Sequence, residues 1–187
     1  LYILDDETPG QWRIGGASRW WLHHSLEAFA CDASKRGAAL TLRRGRADSA
    51  LLELVRETGA SAVFWNRRYE PNAVARDKTL KATLAEQGVE AVSCNGALMN
   101  EPWTVKTKSG EPFKVFTPFW RACLQLETRA PFAAPKQLEG WSGALASDTL
   151  SDWGLLPTRP NWATHFDAAW TPGEAGAQRA LIAFIED

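Results

Sequence analysis

Between residues 1 and 94, short apolar runs alternate with stretches of helical spacing, and few folds accommodate that order. Leu1 to Leu4 is the first apolar run and ends in Asp5-Asp6. A polar loop with Pro9-Gly10 and Gly15-Gly16 follows. Ser18 suits a helix N-cap, Leu22, Leu26 and Phe29 recur at helical spacing, and Gly37 stops the helix. Ala38 to Leu42 is the second strand. Ala47, Leu51, Leu54 and Val55 mark a second helix, closed at Gly59. Ala62 to Trp65 is the third strand. Pro71 fits the first turn of a third helix, which carries Leu80 and Leu84 and stops at Gly88. Val89 to Cys94 is the fourth strand. Strands separated by helices of this length pair in parallel through right-handed crossovers. The spacing therefore predicts a doubly wound, Rossmann-like α/β fold: a parallel sheet flanked by helices.

No GxGxxG follows any of these strands, so a dinucleotide fingerprint is absent, and Gly15-Gly16 is too weak for a phosphate loop. From Asn95 the alternation breaks. Thr104 to Val115 reads as a hairpin around Ser109-Gly110, and Phe116 to Leu126 as a helix. Residues 130 to 173 are rich in Pro, Gly, Ser and Trp, as expected of a linker. Glu174 to Asp187 begins a new helix with Ala180, Leu181 and Phe184. The expected organisation is an α/β domain over 1–130, an interdomain linker over 131–173, and the start of a helical domain over 174–187. The chain opens on a strand without Met and reads as a cut fragment.

Composition excludes several classes. The 21 basic and 22 acidic residues give no overall bias toward nucleic acid, and the clusters Arg43-Arg44-Gly45-Arg46 and Arg67-Arg68 read as solvated loops. No run approaches the ~20 apolar residues that cross a bilayer, and no signal peptide is visible. Cys31, Cys94 and Cys123 form no CxxC, which points to a reduced, cytoplasmic protein. His23, His24 and His165 read as surface or helix-face residues, with no metal set. Ten Trp is far above ordinary usage and reads as packing; six of them lie beyond the α/β repeat, where a second domain would pack.

The densest chemistry is Trp65-Asn66-Arg67-Arg68-Tyr69-Glu70-Pro71, followed by Arg76-Asp77. It falls where a strand gives way to a helix, the place where open α/β sheets bind ligands. Trp-Asn-x-x-Tyr-Glu-Pro-x-x-x-x-Arg-Asp resembles the N-terminal domain of DNA photolyases and cryptochromes. The resemblance continues through Lys114-Val115-Phe116-Thr117-Pro118-Phe119-Trp120 and Trp170-Thr171-Pro172-Gly173-Glu174. Together with Gly16-Ala17-Ser18-Arg19-Trp20-Trp21-Leu22, these blocks look like bacterial class I photolyases that repair cyclobutane pyrimidine dimers.

The resemblance implies an α/β domain that binds a light-harvesting chromophore. It also implies a helical domain beyond Asp187 that binds FAD and receives UV-damaged DNA. The complete protein would be a monomeric deoxyribodipyrimidine photo-lyase, with no catalytic residue in this portion. A cryptochrome-like photoreceptor and a stand-alone nucleotide-binding module are the alternatives. By the same resemblance, Arg19, Glu70 and Arg76 match residues of the deazaflavin-type chromophore site, and Asn66 and Asp77 belong to the same block. Guanidinium groups stack on and donate to a planar, carbonyl-rich ring. Glu70 either accepts from the ligand or caps the helix at Pro71 and pairs with Arg68 or Arg76. The folate pattern places Asn-Glu here; Asn72 matches, but Ala73 stands at the carboxylate position. A deazaflavin or flavin is expected rather than methenyltetrahydrofolate. In the family order the first strand is central. Without it, the fragment should leave unpaired strand edges, with Trp153, Trp162 and Trp170 in water.

Overall fold

A computed structural model describes the whole chain except residues 9–11, 129 and 187. The Pro9-Gly10 turn and Asp187, the expected last residue of the final helix, therefore lie outside the described residues. The chain divides into two units, Leu1–Gly59 with Pro135–Asp187, and Ala60–Ala134. Each contains a parallel strand pair joined by a helix.

In the first unit, β1 (Tyr2–Leu4) is followed by α1 (Gly16–Lys35), β2 (Leu42–Arg44) and α2 (Ala47–Thr58). The β1–β2 register is Tyr2 opposite Leu42 and Leu4 opposite Arg44. β2 starts later than the apolar run suggests, because Ala38 is held by the end of α1, its N–H donating to the Ala33 carbonyl. The outer edge of β2 is closed by the returning chain: Leu42 N–H donates to Ser147 Oγ at 2.9 Å, and Asp148 N–H to the Leu42 carbonyl at 2.8 Å. α1 is capped by Gly15 without a side-chain bond, so Ser18 lies inside the first turn rather than at the cap. Its buried stripe is Trp20, His23, Leu26 and Ala33. Phe29 falls just beyond that stripe and is 57% exposed.

Residues 135–187 pack back on this unit. Leu4, Leu26, Leu42, Trp153 and Leu155 form one core cluster. Trp153, on a 3-10 turn (Leu150–Trp153), is only 3% exposed, and its Nε1–H donates to Asp148 Oδ2 at 3.0 Å. The expectation that this ring would lie in water is corrected: β1 and β2 each bury a leucine on one face, and the returning chain supplies the indole that covers it. Trp162 and Trp170 remain substantially exposed. α5 (Phe166–Ala169) adds an edge contact from Phe166 to Trp20 at 5.2 Å. α6 (Glu174–Glu186) leaves Leu181, Ile182, Phe184 and Ile185 exposed.

Asp5 fastens the end of β1. Its carboxylate accepts from the N–H groups of Glu7 and Thr8, from the Thr8 hydroxyl, and from Ala47 N–H at the start of α2. α2 has no side-chain cap from its own Arg46, so Asp5 fills that role from a distance. Burial alone would raise the Asp5 pKa; the bonds from Thr8, Ala47 and Glu7 outweigh it and hold the carboxyl below its usual value.

In the second unit, β3 (Ala62–Asn66) and β4 (Glu90–Cys94) flank α3 (Pro71–Glu86), with Trp65 opposite Ser93. Among the described residues the strands thus form two separate parallel pairs rather than one continuous ladder. α3 buries Ala73, Asp77, Leu80 and Leu84 along one stripe. The expected 104–115 hairpin reduces to one antiparallel bridge, Lys106 to Pro112, around a turn closed by Gly110 N–H to the Thr107 carbonyl. α4 (Phe116–Cys123) stops before the expected Leu126.

Candidate functional site

The carboxyl end of β3 is where sequence and geometry converge. β3 runs out at Asn66, and the ladder is extended by Arg67 N–H donating to the Cys94 carbonyl at 2.8 Å. Glu70 holds extended backbone at the N-cap position, with Pro71 at the start of α3. Its side chain makes no cap bond. Instead the carboxylate accepts from Arg68 Nη2 at 2.8 Å and Nε at 3.3 Å. That Arg68 hydrogen bond, reinforced by backbone donors, lowers the Glu70 pKa to about 2. Glu70 is thus an ionised, largely exposed acceptor at the strand end. Asn66 is exposed beside it, and Gly96 approaches closely: a Cβ there would come within 2.5 Å of the Asn66 amide.

Beneath this rim, Asp77 is the polar member of the buried stripe of α3. Its Oδ2 accepts from Trp65 Nε1–H at 3.0 Å, joining helix to strand. Its Oδ1 accepts from Arg76 Nε at 2.9 Å and Nη2 at 2.7 Å. Lys81 lies 5.5 Å from the centre of the Trp65 ring and donates to Ser93 Oγ at 2.7 Å. Trp65, Arg76, Asp77 and Lys81 therefore tie α3 to both strands, and the charge of Arg76 is engaged within the unit.

A second network spans the strand end and was not legible in the sequence. Arg67 donates to Ser93 Oγ at 3.2 Å and the Ser93 carbonyl at 2.6 Å, pairs with Glu101, and lies 5.3 Å over the Trp103 ring. Tyr69 O–H donates to Glu101 Oε1 at 2.6 Å, and its ring lies 6.1 Å from Trp103. Burial and the Glu101 bond raise the Tyr69 pKa; the Tyr69 hydroxyl, then Arg67, lower that of Glu101. Glu101 and Trp103 sit more than 30 residues from their partners, in a stretch without period, so spacing carried no signal of the pairing.

Of the five residues the sequence singles out, Asn66, Glu70, Arg76 and Asp77 lie in the second unit, where Arg76 and Asp77 are paired. Arg19 belongs to the first unit, on α1, where its Nη2 donates to the Gly154 carbonyl at 2.9 Å. The basic loop of that unit is paired internally: Arg43 with Glu57, Arg44 with Asp6, and Arg46 with Asp48, at 2.6 to 2.7 Å. Such pairing leaves little local field for a polyanion. The second unit also holds a cavity of about 150 Å³ lined by Met99, Trp120, Cys123 and Leu124, away from the residues singled out.

A parallel sheet end with an ionised carboxylate, an amide and anchored guanidinium groups suits a planar polar ligand. Comparison with known proteins identifies the family. The DNA photolyase family profile matches residues 1–136, and the chain belongs to that family. It is 47% identical over 174 residues to a deoxyribodipyrimidine photo-lyase of Agrobacterium fabrum, covering 92% of this chain and 36% of that protein. Cryptochrome-2 of Arabidopsis thaliana is 33% identical, covering 100% of this chain and 31% of that protein. The crystal structure of a bacterial class III photolyase from Agrobacterium tumefaciens superposes with a TM-score of 0.91 at 45% identity, over 99% of this chain and 38% of that one. The fold also matches an archaeal photolyase from Sulfolobus tokodaii, at 17% identity and a TM-score of 0.61, over 80% of this chain and 33% of that one. The chain thus spans about a third of the length of these relatives.

Among the described residues no helix is long and apolar enough to cross a membrane.

Proposed function

We propose that this chain is the α/β portion of a light-driven DNA-repair enzyme, a deoxyribodipyrimidine photo-lyase. The complete protein splits cyclobutane pyrimidine dimers in UV-damaged DNA by electron transfer from excited, reduced FAD held in the helical domain. The observation that carries this reading is the higher identity to the Agrobacterium fabrum photo-lyase, 47% against 33% for Cryptochrome-2. The solved relative supports reading the subclass as class III in place of the class I that the motifs suggested.

This portion serves as the antenna. Asn66 and Glu70 present an amide and an ionised carboxylate to the chromophore. Arg76 and Asp77 support that rim from below. When bound, the chromophore absorbs light and passes the energy to the flavin through space. These residues bind and orient it; none performs chemistry. Ala73 is buried in the α3 stripe and carries no carboxylate, which supports a deazaflavin or flavin over a folate. The protein acts in the cytoplasm, as a monomer.

The test is repair of a dimer-containing oligonucleotide by the full-length protein under blue light. Repair in light and none in darkness is expected. Flavin binding without repair would favour the cryptochrome reading, to which the coverage of the Cryptochrome-2 match lends support.

A further inference from the structure

The first unit carries a second cluster of chemistry-bearing side chains, on α1. His23 lies in the buried stripe of that helix and is 8% exposed, where an apolar side chain is the rule. Its Nδ1 has no hydrogen-bond partner among the described residues. Its Nε2 faces Glu27 Oε1 at 3.4 Å, too long for a well-formed N–H···O bond. A buried imidazole nitrogen that faces a carboxylate at this distance without bonding to it leaves room for an ion between the two. His24 Nδ1 lies 2.9 Å from the other carboxylate oxygen, Glu27 Oε2. Glu27 is one helical turn beyond both histidines, so one carboxylate reaches both rings.

We propose that His23, His24 and Glu27 bind a borderline divalent transition-metal ion such as Zn2+. One donor atom from each lies within 4.8 Å of the others. Tetrahedral zinc with bonds of about 2.1 Å sets its ligand atoms roughly 3.4 Å apart. The His23–Glu27 separation already has that value. The His24–Glu27 pair reaches it by a small turn of two partly exposed side chains. Two imidazoles with one carboxylate select zinc-like ions over magnesium or calcium, and leave the fourth position to water. Trp20 restrains the outer ring, its centroid 4.6 Å from that of His24 in an edge-on contact. The metal would bind His23 Nε2 and pin the first turns of α1.

The test uses the full-length protein without an affinity tag, freed of metal by a chelator and titrated calorimetrically with zinc chloride. Cobalt chloride provides a second readout, through the visible absorption of four-coordinate cobalt. One zinc per chain is expected in the unaltered protein, weakened about tenfold or more in His24→Ala and in Glu27→Gln. Both variants change partly exposed or exposed side chains and should leave the far-ultraviolet circular dichroism unchanged. Absence of zinc uptake, or uptake by both variants as tight as by the unaltered protein, would overturn the proposal.

Discussion

Replacing Trp153 with alanine removes the largest side chain from the core cluster of the first unit. The indole is 3% exposed, so nearly all of its surface leaves water on folding. An aromatic side chain buries about 150–250 Å², worth about 4–6 kcal/mol at ~25 cal/mol/Å². That range is a ceiling, because the unfolded chain already buries some apolar surface. Comparable Trp→Ala changes cost about 3–5 kcal/mol, so about 4 kcal/mol is expected. Trp153→Phe keeps a ring against Leu4 and Leu42 but loses the 3.0 Å bond to Asp148, and should cost about 1–2 kcal/mol. The assay is hydrogen exchange by mass spectrometry on the full-length protein. In Trp153→Ala, peptides covering β1 and β2 should lose close to a thousandfold in protection. Those covering β3 and β4, in the other unit, should be unchanged. A loss below about 1 kcal/mol, or an equal loss across both units, would refute the assignment of the returning chain as the lid of this core.

Other consequences follow from single contacts. Asp77→Asn removes the charge that the little-exposed Arg76 pairs with, and should cost about 3 kcal/mol in chemical denaturation; a change under 1 kcal/mol would show that the pair is not structural. Asp5 has a lowered pKa, so its stabilisation is present above the ordinary carboxylate value of roughly 4 and is lost as pH falls through the lowered one. Asp5→Asn should therefore flatten the acid limb of the stability–pH curve, and an unchanged limb would contradict the capping role. Glu70→Gln removes a solvent-exposed pair and should alter stability by less than about 0.5 kcal/mol, yet lower chromophore occupancy in the purified full-length protein. Full occupancy would remove Glu70 from the site.

What could be read from the sequence was local. Pro71 opening α3, and Gly59 and Gly88 at positive φ beyond α2 and α3, mark boundaries because proline fixes its φ and glycine takes the positive φ that other residues avoid. Period alone placed all four strands, and missed the start of β2, which is set by its pairing with β1. Ser18 has the right chemistry for a cap, but the helix begins earlier at Gly16. The burial of Trp153 depends on chain returning across more than a hundred residues, and no window on the sequence contains both partners. The same holds for Arg67 and Tyr69 with Glu101. At the site itself, residue types were legible while their engagements were not. Arg76 and Asp77 stood out as a charged pair, and the structure shows them bonded to each other, with Asp77 also accepting from Trp65. His23 and Glu27 have the spacing of helical neighbours, but only burial distinguishes this pair from a solvated one.

The most direct measurement of the antenna reading is the action spectrum of dimer repair by the full-length protein, compared between the unaltered form and Asn66→Ala combined with Glu70→Gln. Neither side chain is fully buried, so the fold should survive both changes. In the unaltered protein, repair per incident photon should follow the second chromophore's absorption as well as that of the flavin. In the double variant the second band should disappear while flavin-driven repair persists. An action spectrum that keeps both bands in the variant would contradict the placement of the chromophore at the end of β3.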